Sequence, residues 1–251
     1  MPKLLGMCSA FLLLPGCASL SVVANAPLHA SGPTQSYSIR EWEEGERSGD
    51  IALLLAFSGG GSRAAAFSYG VLEELRDTRV RIAGRRKRLL DEVDRISAVS
   101  GGSFTAAYYG LYGDRIFDEF ETAFLRHDGE GQLLRAFFNP VRWFDKKSRT
   151  EMAVEYYEKA LFRGATFADM IQEGRPLILI NASDLGHGIR FSFTQEYFNL
   201  LCSDPSSFPV ARAQVRASRG WGDHRQSGAA GDHRRGGGGG WSAGVLAQDQ
   251  A

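Results

Sequence analysis

The feature that most constrains the fold is an apolar run followed almost at once by three glycines. Ile51–Phe57 has the length and composition of a strand that is buried on both faces of a parallel sheet. The glycines are Gly59, Gly60 and Gly61, and Ala64–Leu75 then carries apolar residues at helical spacing. This order predicts strand, glycine turn and helix, which is one half of a βαβ crossover.

The same order recurs farther along the chain. Arg95–Val99 suits a second strand, and Ser103–Tyr112 suits a second helix, with small residues between them. The rest is predicted as a loop at 76–84, mainly helix at 114–172, a strand at 176–181 and a segment at 189–193 that pairs with it. The pattern predicts an α/β fold with a central, mainly parallel sheet and helices on both faces.

Charge and cysteine content exclude several classes of protein. The chain has 251 residues, with 29 Lys+Arg against 29 Asp+Glu, so there is no cationic excess for binding nucleic acid. Cys8, Cys17 and Cys202 are too few and too scattered for a disulfide framework or a zinc site. No metal, cofactor or protein partner is predicted.

The N-terminus is predicted to be a targeting segment. Residues 1–16 place Lys3 before an apolar run that is too short to span a bilayer, which is typical of a secretion signal. The run ends at Cys17 in a pattern that resembles a bacterial lipobox, so Cys17 would be lipidated; cleavage of an ordinary signal near Ala26 is the alternative. Residues 17–48 are predicted to be a flexible tether. The expected location is the cell envelope, at the outer membrane facing the periplasm, with membrane lipid as the anchor.

The first glycine turn is suited to receive an anion. Successive glycines between a strand and a helix leave backbone N–H groups uncovered near the positive end of the helix dipole. A P-loop is excluded because no Gly-Lys-Ser/Thr follows. A loose dinucleotide fingerprint is present at Gly59, Gly61 and Ala64, but Arg79 and Arg81 follow where an acidic ribose ligand is needed.

The second turn favours acyl transfer. Ala98-Val99-Ser100-Gly101-Gly102 is a G-x-S-x-G motif with alanine at its first position, and it lies between a predicted strand and a predicted helix. A sharp turn there would expose the Ser100 hydroxyl at the edge of the sheet, with the N–H of Gly101 beside those of Gly60 and Gly61. Ser103 is a weaker candidate because no glycine stands two residues after it.

Together, the two motifs resemble those of the patatin-like phospholipases, over about Asp50 to Ala213. The resemblance implies a three-layer α/β/α fold and a Ser–Asp dyad that hydrolyses lipid acyl esters. It implies the following roles: Ser100 as nucleophile; Gly59, Gly60, Gly61 and Gly101 as the oxyanion hole; and Arg63, Ala98 and Gly102 as supporting residues of the motifs. Ser58 stands where many members have aspartate.

The aspartate of the dyad has no match in this chain. The family pattern places it in D-G-G or D-G-A, but Asp223, Asp232 and Asp249 are not followed by glycine, and Asp128 precedes the region where it is needed. Residues 214–251 contain ten glycines and no Ile, Phe or Tyr. We therefore predict an incomplete domain at 49–213 and a disordered tail at 214–251. The tail is either translated from a shifted reading frame or naturally flexible. Impaired hydrolysis is expected.

Two other functions remain open. A Ser-His-Asp hydrolase would need one of the histidines after Ser100, and among these only His187 follows a predicted strand; the histidines are His127, His187, His224 and His233. A non-catalytic, membrane-anchored lipid-binding lipoprotein would need no base at all. The basic run Arg85–Arg88 is predicted to be a solvated loop, and the aromatic stretch at 137–144 to be core packing under a loop.

Overall fold

The computed structural model describes residues 37–42, 51–126, 149–183 and 188–219. The strands are β1 (Leu53–Phe57), β2 (Arg79–Ile82), β3 (Arg85–Arg88), β4 (Val93–Val99), β5 (Leu177–Ser183) and β6 (Arg190–Ser192). The helices are α1 (Gly61–Asp77), α2 (Gly101–Tyr112), α3 (Ile116–Phe120), α4 (Arg149–Tyr157), α5 (Gln195–Asn199) and α6 (Val210–Arg219). Helices α3 and α4 each continue into a π-helical turn, Glu121–Leu125 and Glu158–Phe162 respectively.

The central sheet confirms the predicted α/β class. Its four strands lie in the order β1-β4-β5-β6. β1 pairs parallel with β4, and β4 pairs parallel with β5, whereas β6 is antiparallel to β5. The predicted pairing of 189–193 with the preceding strand is thus confirmed. Because β1 and β4 are parallel neighbours, the glycine turn and the Ser100 turn lie at the same edge of the sheet.

Helices cover one face of this sheet in the part of the chain that the structure describes. Helix α2 packs on β4, β5 and β1, while α1 packs along α2, and α6 contacts both β5 and α2. The crossovers from β1 to β4 and from β4 to β5 advance in the same direction across the sheet. Right-handed crossovers that advance in one direction place their helices on the same face.

The opposite face of the sheet is only partly covered, so the predicted burial of β1 on both faces is wrong. Burial alternates along all three parallel strands, and Leu54 of β1 is 64% exposed. Ser97, Leu179 and Asn181 on the same face are half-buried. Among the described residues, the short helix α5 lines a cleft with Ser97, Leu179 and Asn181, so this face is covered only on the side of β5 and β6.

The basic run forms a β-hairpin rather than a solvated loop. β2 and β3 pair antiparallel through a turn at Ala83 and Gly84, where both residues have positive φ, 48° and 76°. The predicted loop at 76–84 therefore contains a strand. Two of the basic side chains are held in ion pairs: Lys87 with buried Glu92 at 2.7 Å, and Arg88 with Asp91 and Asp114 at 2.6 and 2.5 Å.

The folded part of the chain begins earlier than predicted. Tyr37 is fully buried, and its ring makes edge contacts with those of Trp42 and Phe167. The Tyr37 hydroxyl donates to the carbonyl of Ile178 at 2.6 Å and accepts from the N–H of the same residue at 3.1 Å. Residues 37–42 are therefore packed against β5 rather than forming part of a tether; the rest of 17–48 lies outside the described residues.

The folded part also extends beyond Ala213. Helix α6 runs on to Arg219, with Val215 1% and Ala217 6% exposed. The tail prediction is thus wrong for 214–219, where apolar residues continue at the spacing of the preceding helix turns. Residues 220–251 lie outside the described part of the chain.

Replacing Tyr37 by phenylalanine is expected to destabilise the fold. The substitution keeps the ring but leaves the buried N–H and C=O of Ile178 unpaired, at a cost of about 1–3 kcal/mol. Tyr112→Phe is the matched control, because its half-buried hydroxyl makes one bond, to the Phe162 carbonyl at 3.1 Å. Urea unfolding measures both variants, and an equal loss of stability would contradict the assigned role of the Tyr37 hydroxyl.

Candidate active site

Ser100 lies in a strained turn between β4 and α2. Its backbone has φ 51° and ψ −124°, a combination that non-glycine residues rarely adopt and that costs about 1–3 kcal/mol. The residue is half-buried. A serine held in this way at a strand-to-helix turn has the geometry of the predicted nucleophile elbow.

The glycine turn lies directly against Ser100. A Cβ atom added at Gly59 would be 3.2 Å from the Ser100 Cβ and 3.8 Å from its Oγ. The turn and the elbow follow neighbouring parallel strands, which explains why they meet. The structure therefore brings together Ser100 and Gly59, as the spacing of the motifs predicts.

The backbones of the two turns are in contact at the glycines that follow Ser100. A Cβ at Gly101 would lie 2.0 Å from the Gly61 carbonyl oxygen, and one at Gly102 would lie 2.7 Å from the Ser58 carbonyl oxygen. The N–H of Gly102 donates to that Ser58 oxygen at 3.2 Å. Any side chain at either position would force the two turns apart.

Two helices begin at this point. Gly60, which precedes α1, has φ 141°, and Gly61, its first residue, has φ 65°. The N-termini of α1 and α2 are thus adjacent, and each contributes a partial positive charge. This arrangement favours an anion near the Ser100 hydroxyl.

Ser103 fastens the start of α2 to α6. It is fully buried, and its hydroxyl lies 2.5 Å from the Ser100 carbonyl oxygen and 2.5 Å from Gln214 Oε1. The Gln214 amide also donates to the Ser103 carbonyl at 3.0 Å. Sequence reasoning missed Gln214, although the continuing helical spacing of apolar residues after Val210 is a signal that includes it.

Asn181 holds the end of β4 on the open face of the sheet. Its amide nitrogen lies 3.1 Å from the Ala98 carbonyl and 3.0 Å from Ser97 Oγ, and its Oδ1 accepts from Ser192 Oγ at 2.6 Å. These bonds link three strands just before the elbow. A hydrogen-bonded polar network of this kind restricts backbone movement near Ser100.

The remaining predicted residues are either exposed or outside the described part of the chain. Arg63 is exposed in the first turn of α1. No side chain of the described ranges forms a hydrogen bond with Ser100 Oγ, and those ranges contain no cluster of His, Cys, Asp or Glu that could hold a metal ion. Cys17, the four histidines, the downstream aspartates Asp223, Asp232 and Asp249, Asp128 and the stretch at 137–144 lie outside the described residues.

The family model described as patatin-like phospholipase matches residues 55–218. The chain belongs to this family. The match covers both turns, and it runs past Ala213 to the part of α6 that carries Gln214. The family match agrees with the mainly parallel α/β sheet that the structure shows.

Two solved structures are similar to this patatin-like chain. One is human GIVD cytosolic phospholipase A2 with a fluorophosphonate inhibitor, 17% identical with a TM-score of 0.40, covering 67% of this chain and 30% of that one. The other is the ExoU–SpcU complex of the Pseudomonas aeruginosa type III secretion system, 16% identical with a TM-score of 0.40, covering 84% and 46%. The chain thus spans less than half the length of either. No curated protein sequence matches it.

None of the helices in the described ranges is both long and apolar enough to cross a membrane.

Replacing Gly101 by alanine is expected to disrupt the contact between the turns. The new methyl group would overlap the Gly61 carbonyl, so we expect a loss of at least about 2 kcal/mol in unfolding free energy. Gly70→Ala is the control: it lies inside α1 with nothing within 4 Å of an added Cβ, and should stabilise the protein by about 0.5–1 kcal/mol. Chemical unfolding measures both variants, and a Gly101→Ala protein as stable as the parent would refute the packing argument.

Proposed function

We propose that this chain descends from serine acyl hydrolases that cleave carboxylic esters of phospholipids or acylglycerols, with Ser100 as the nucleophile. The observation that carries the proposal is the contact between Ser100 and the glycine turn, in which Gly59 approaches the Ser100 Oγ. Family membership supports the reaction class. The strained backbone of Ser100 supports the choice of this serine over the buried Ser103.

The chemistry assigned to each group follows from acyl transfer. The Ser100 Oγ attacks the ester carbonyl carbon, and the electron pair of the C=O bond moves to its oxygen. Amides of Gly59, Gly60, Gly61 and Gly101 stabilise this oxyanion, helped by the two helix N-termini. The intermediate collapses to acyl-Ser100 and releases the alcohol, and water then hydrolyses the acyl group to a free acid.

The proton of the Ser100 hydroxyl needs an acceptor, and we propose that this chain lacks the one its family uses. The printed sequence has no D-G-G or D-G-A motif. Within the described residues, no side chain pairs with Ser100 Oγ. A positioned base contributes about 10²–10⁴-fold to rate, so its loss leaves a serine that reacts slowly and does not turn over efficiently.

A fluorophosphonate probe and a nitrophenyl ester test this proposal together. We expect slow, stoichiometric labelling that Ser100→Ala abolishes and Ser62→Ala retains, Ser62 being an exposed serine at the start of α1. Hydrolysis of nitrophenyl butyrate should stay within about tenfold of the Ser100→Ala rate, because the base is missing. Mass spectrometry and absorbance measure the two reactions.

Each other result selects a different function. Failure to label Ser100 would favour the non-catalytic, lipid-binding lipoprotein. Rapid ester turnover that depends on Ser100 would show that a base operates within this chain. If that turnover also depended on His187, the Ser-His-Asp alternative would replace the dyad.

We also propose that Cys17 is lipidated and holds the protein at the outer membrane, facing the periplasm. The support is the lipobox-like sequence ending at Cys17 and the non-acidic Ala18 after it. Two acyl chains together give a stable anchor where one gives only marginal binding.

Substituting Cys17 tests the anchor. Cys17→Ser is expected to move the protein from the membrane fraction to the soluble fraction, whereas Cys8→Ser, within the predicted leader, should leave it at the membrane. Fractionation and intact mass of the native protein measure the change. Membrane association of the Cys17→Ser protein would exclude lipidation of Cys17 as its anchor.

A further inference from the structure

A cleft of about 450 Å³ lies on the open face of the sheet, at the side of β5 and β6. Its floor is the polar network of Ser97, Asn181 and Ser192. This cleft is separate from the glycine turn, which follows β1. Neither the sequence motifs nor the proposed hydrolysis assigns it a role.

The polar floor of the cleft is already satisfied. Asn181 uses its amide nitrogen on Ser97 Oγ and the Ala98 and Leu179 carbonyls, and Ser192 donates to its oxygen. A ligand therefore gains little from direct hydrogen bonds to the floor. Recognition of a ligand therefore depends on the other side chains that line the cleft.

The lining also includes three aliphatic side chains and two arginines. Ile39, Leu179 and Leu200 line the cleft, and Leu200 is 59% exposed. Arg40 and Arg190 also line it. Within the described residues neither guanidinium is in an ion pair, and Arg190 donates to the Tyr197 hydroxyl at 3.1 Å.

One carboxylate is also present, and one of its two oxygens is engaged, while the other is buried without a hydrogen-bond partner among the described residues. Glu196 Oε1 accepts from Ser38 Oγ at 2.6 Å and from the backbone N–H of Arg40 at 3.3 Å. Burial alone would raise the pKa of Glu196, but these hydrogen bonds lower it below its ordinary value, so it is ionised at neutral pH. The two arginines still leave the lining with a net positive charge.

We infer that this cleft binds a single-chain amphiphile with an anionic head group. The phosphate or carboxylate would lie between Arg40 and Arg190, which suit oxyanions through their fixed N–H geometry, and the alkyl chain would lie along Ile39, Leu179 and Leu200. A free fatty acid and a lysophospholipid both have this chemistry. Binding here does not depend on the proposed hydrolysis.

Calorimetric titration of the full chain with three probes tests the inference. Dodecyl phosphate below its micelle concentration should bind at least about tenfold more tightly than inorganic phosphate, which lacks the chain, or dodecyl maltoside, which lacks the charge. Equal binding of inorganic phosphate would reduce the cleft to an anion site. Equal binding of dodecyl maltoside would show that the arginines do not select the head group.

Paired variants locate the binding. Arg40→Gln with Arg190→Gln should weaken dodecyl phosphate binding about tenfold or more, while Arg81→Gln with Arg86→Gln, the same charge change on the exposed hairpin, should change it by less than about twofold. An equal effect of the two pairs would overturn the inference in favour of non-specific attraction.

A second pair of variants changes only exposed residues, so that neither substitution disturbs the core. Leu200→Glu, at an exposed wall position, should weaken binding, whereas Phe67→Glu, at a residue 75% exposed on α1, should not. Ser100→Ala should bind as the parent does. If Ser100→Ala lost binding while Arg40→Gln with Arg190→Gln kept it, the amphiphile would be in the hydrolytic site and the cleft would be unoccupied, a result that leaves the proposed hydrolysis intact.

Discussion

The contact between two glycine backbones controls the geometry of the candidate site. Gly101 approaches the Gly61 carbonyl so closely that no side chain fits between them, and Gly102 donates to Ser58 in the same contact. This approach holds Ser100 in its strained conformation beside Gly59. Strain of this kind persists only where the surrounding packing determines it, and here Ser103, Gln214 and Asn181 supply that packing from three other elements.

In the described part of the chain, the long helices cover one face of the sheet and leave the other only partly covered. Helices α1 and α2 lie on the two parallel connections, and α2 packs on the sheet between α1 and α6, while Leu54 on the other face is 64% exposed. Because helices cover only one face in this way, the two faces present different chemical groups. The helix-covered side supplies amide dipoles to Ser100, while the open side presents arginines and leucines.

Much of the fold was predictable from the sequence because its elements depend on local chemistry. The apolar run of β1, the glycines after it and the small residues around Ser100 indicate two strand, turn and helix units, and the family match agrees. The β2–β3 hairpin was missed because its turn uses Ala83 and Gly84 rather than an Asn-Gly or Asp-Gly pair. The packing of Tyr37 was missed because a single aromatic residue in a polar segment has no periodicity.

The sequence by itself determined the residue types of the site, a serine with small neighbours and three consecutive glycines, because turn geometry restricts the side chains that fit. Only the tertiary structure decided that the two turns touch, that Gln214 holds the start of α2 and that two arginines line a cleft on the other face of the sheet. These three contacts follow from the order of the strands and from the face of the sheet on which each helix packs. Strand order and helix placement are set by contacts between residues far apart in the chain, which no local pattern encodes.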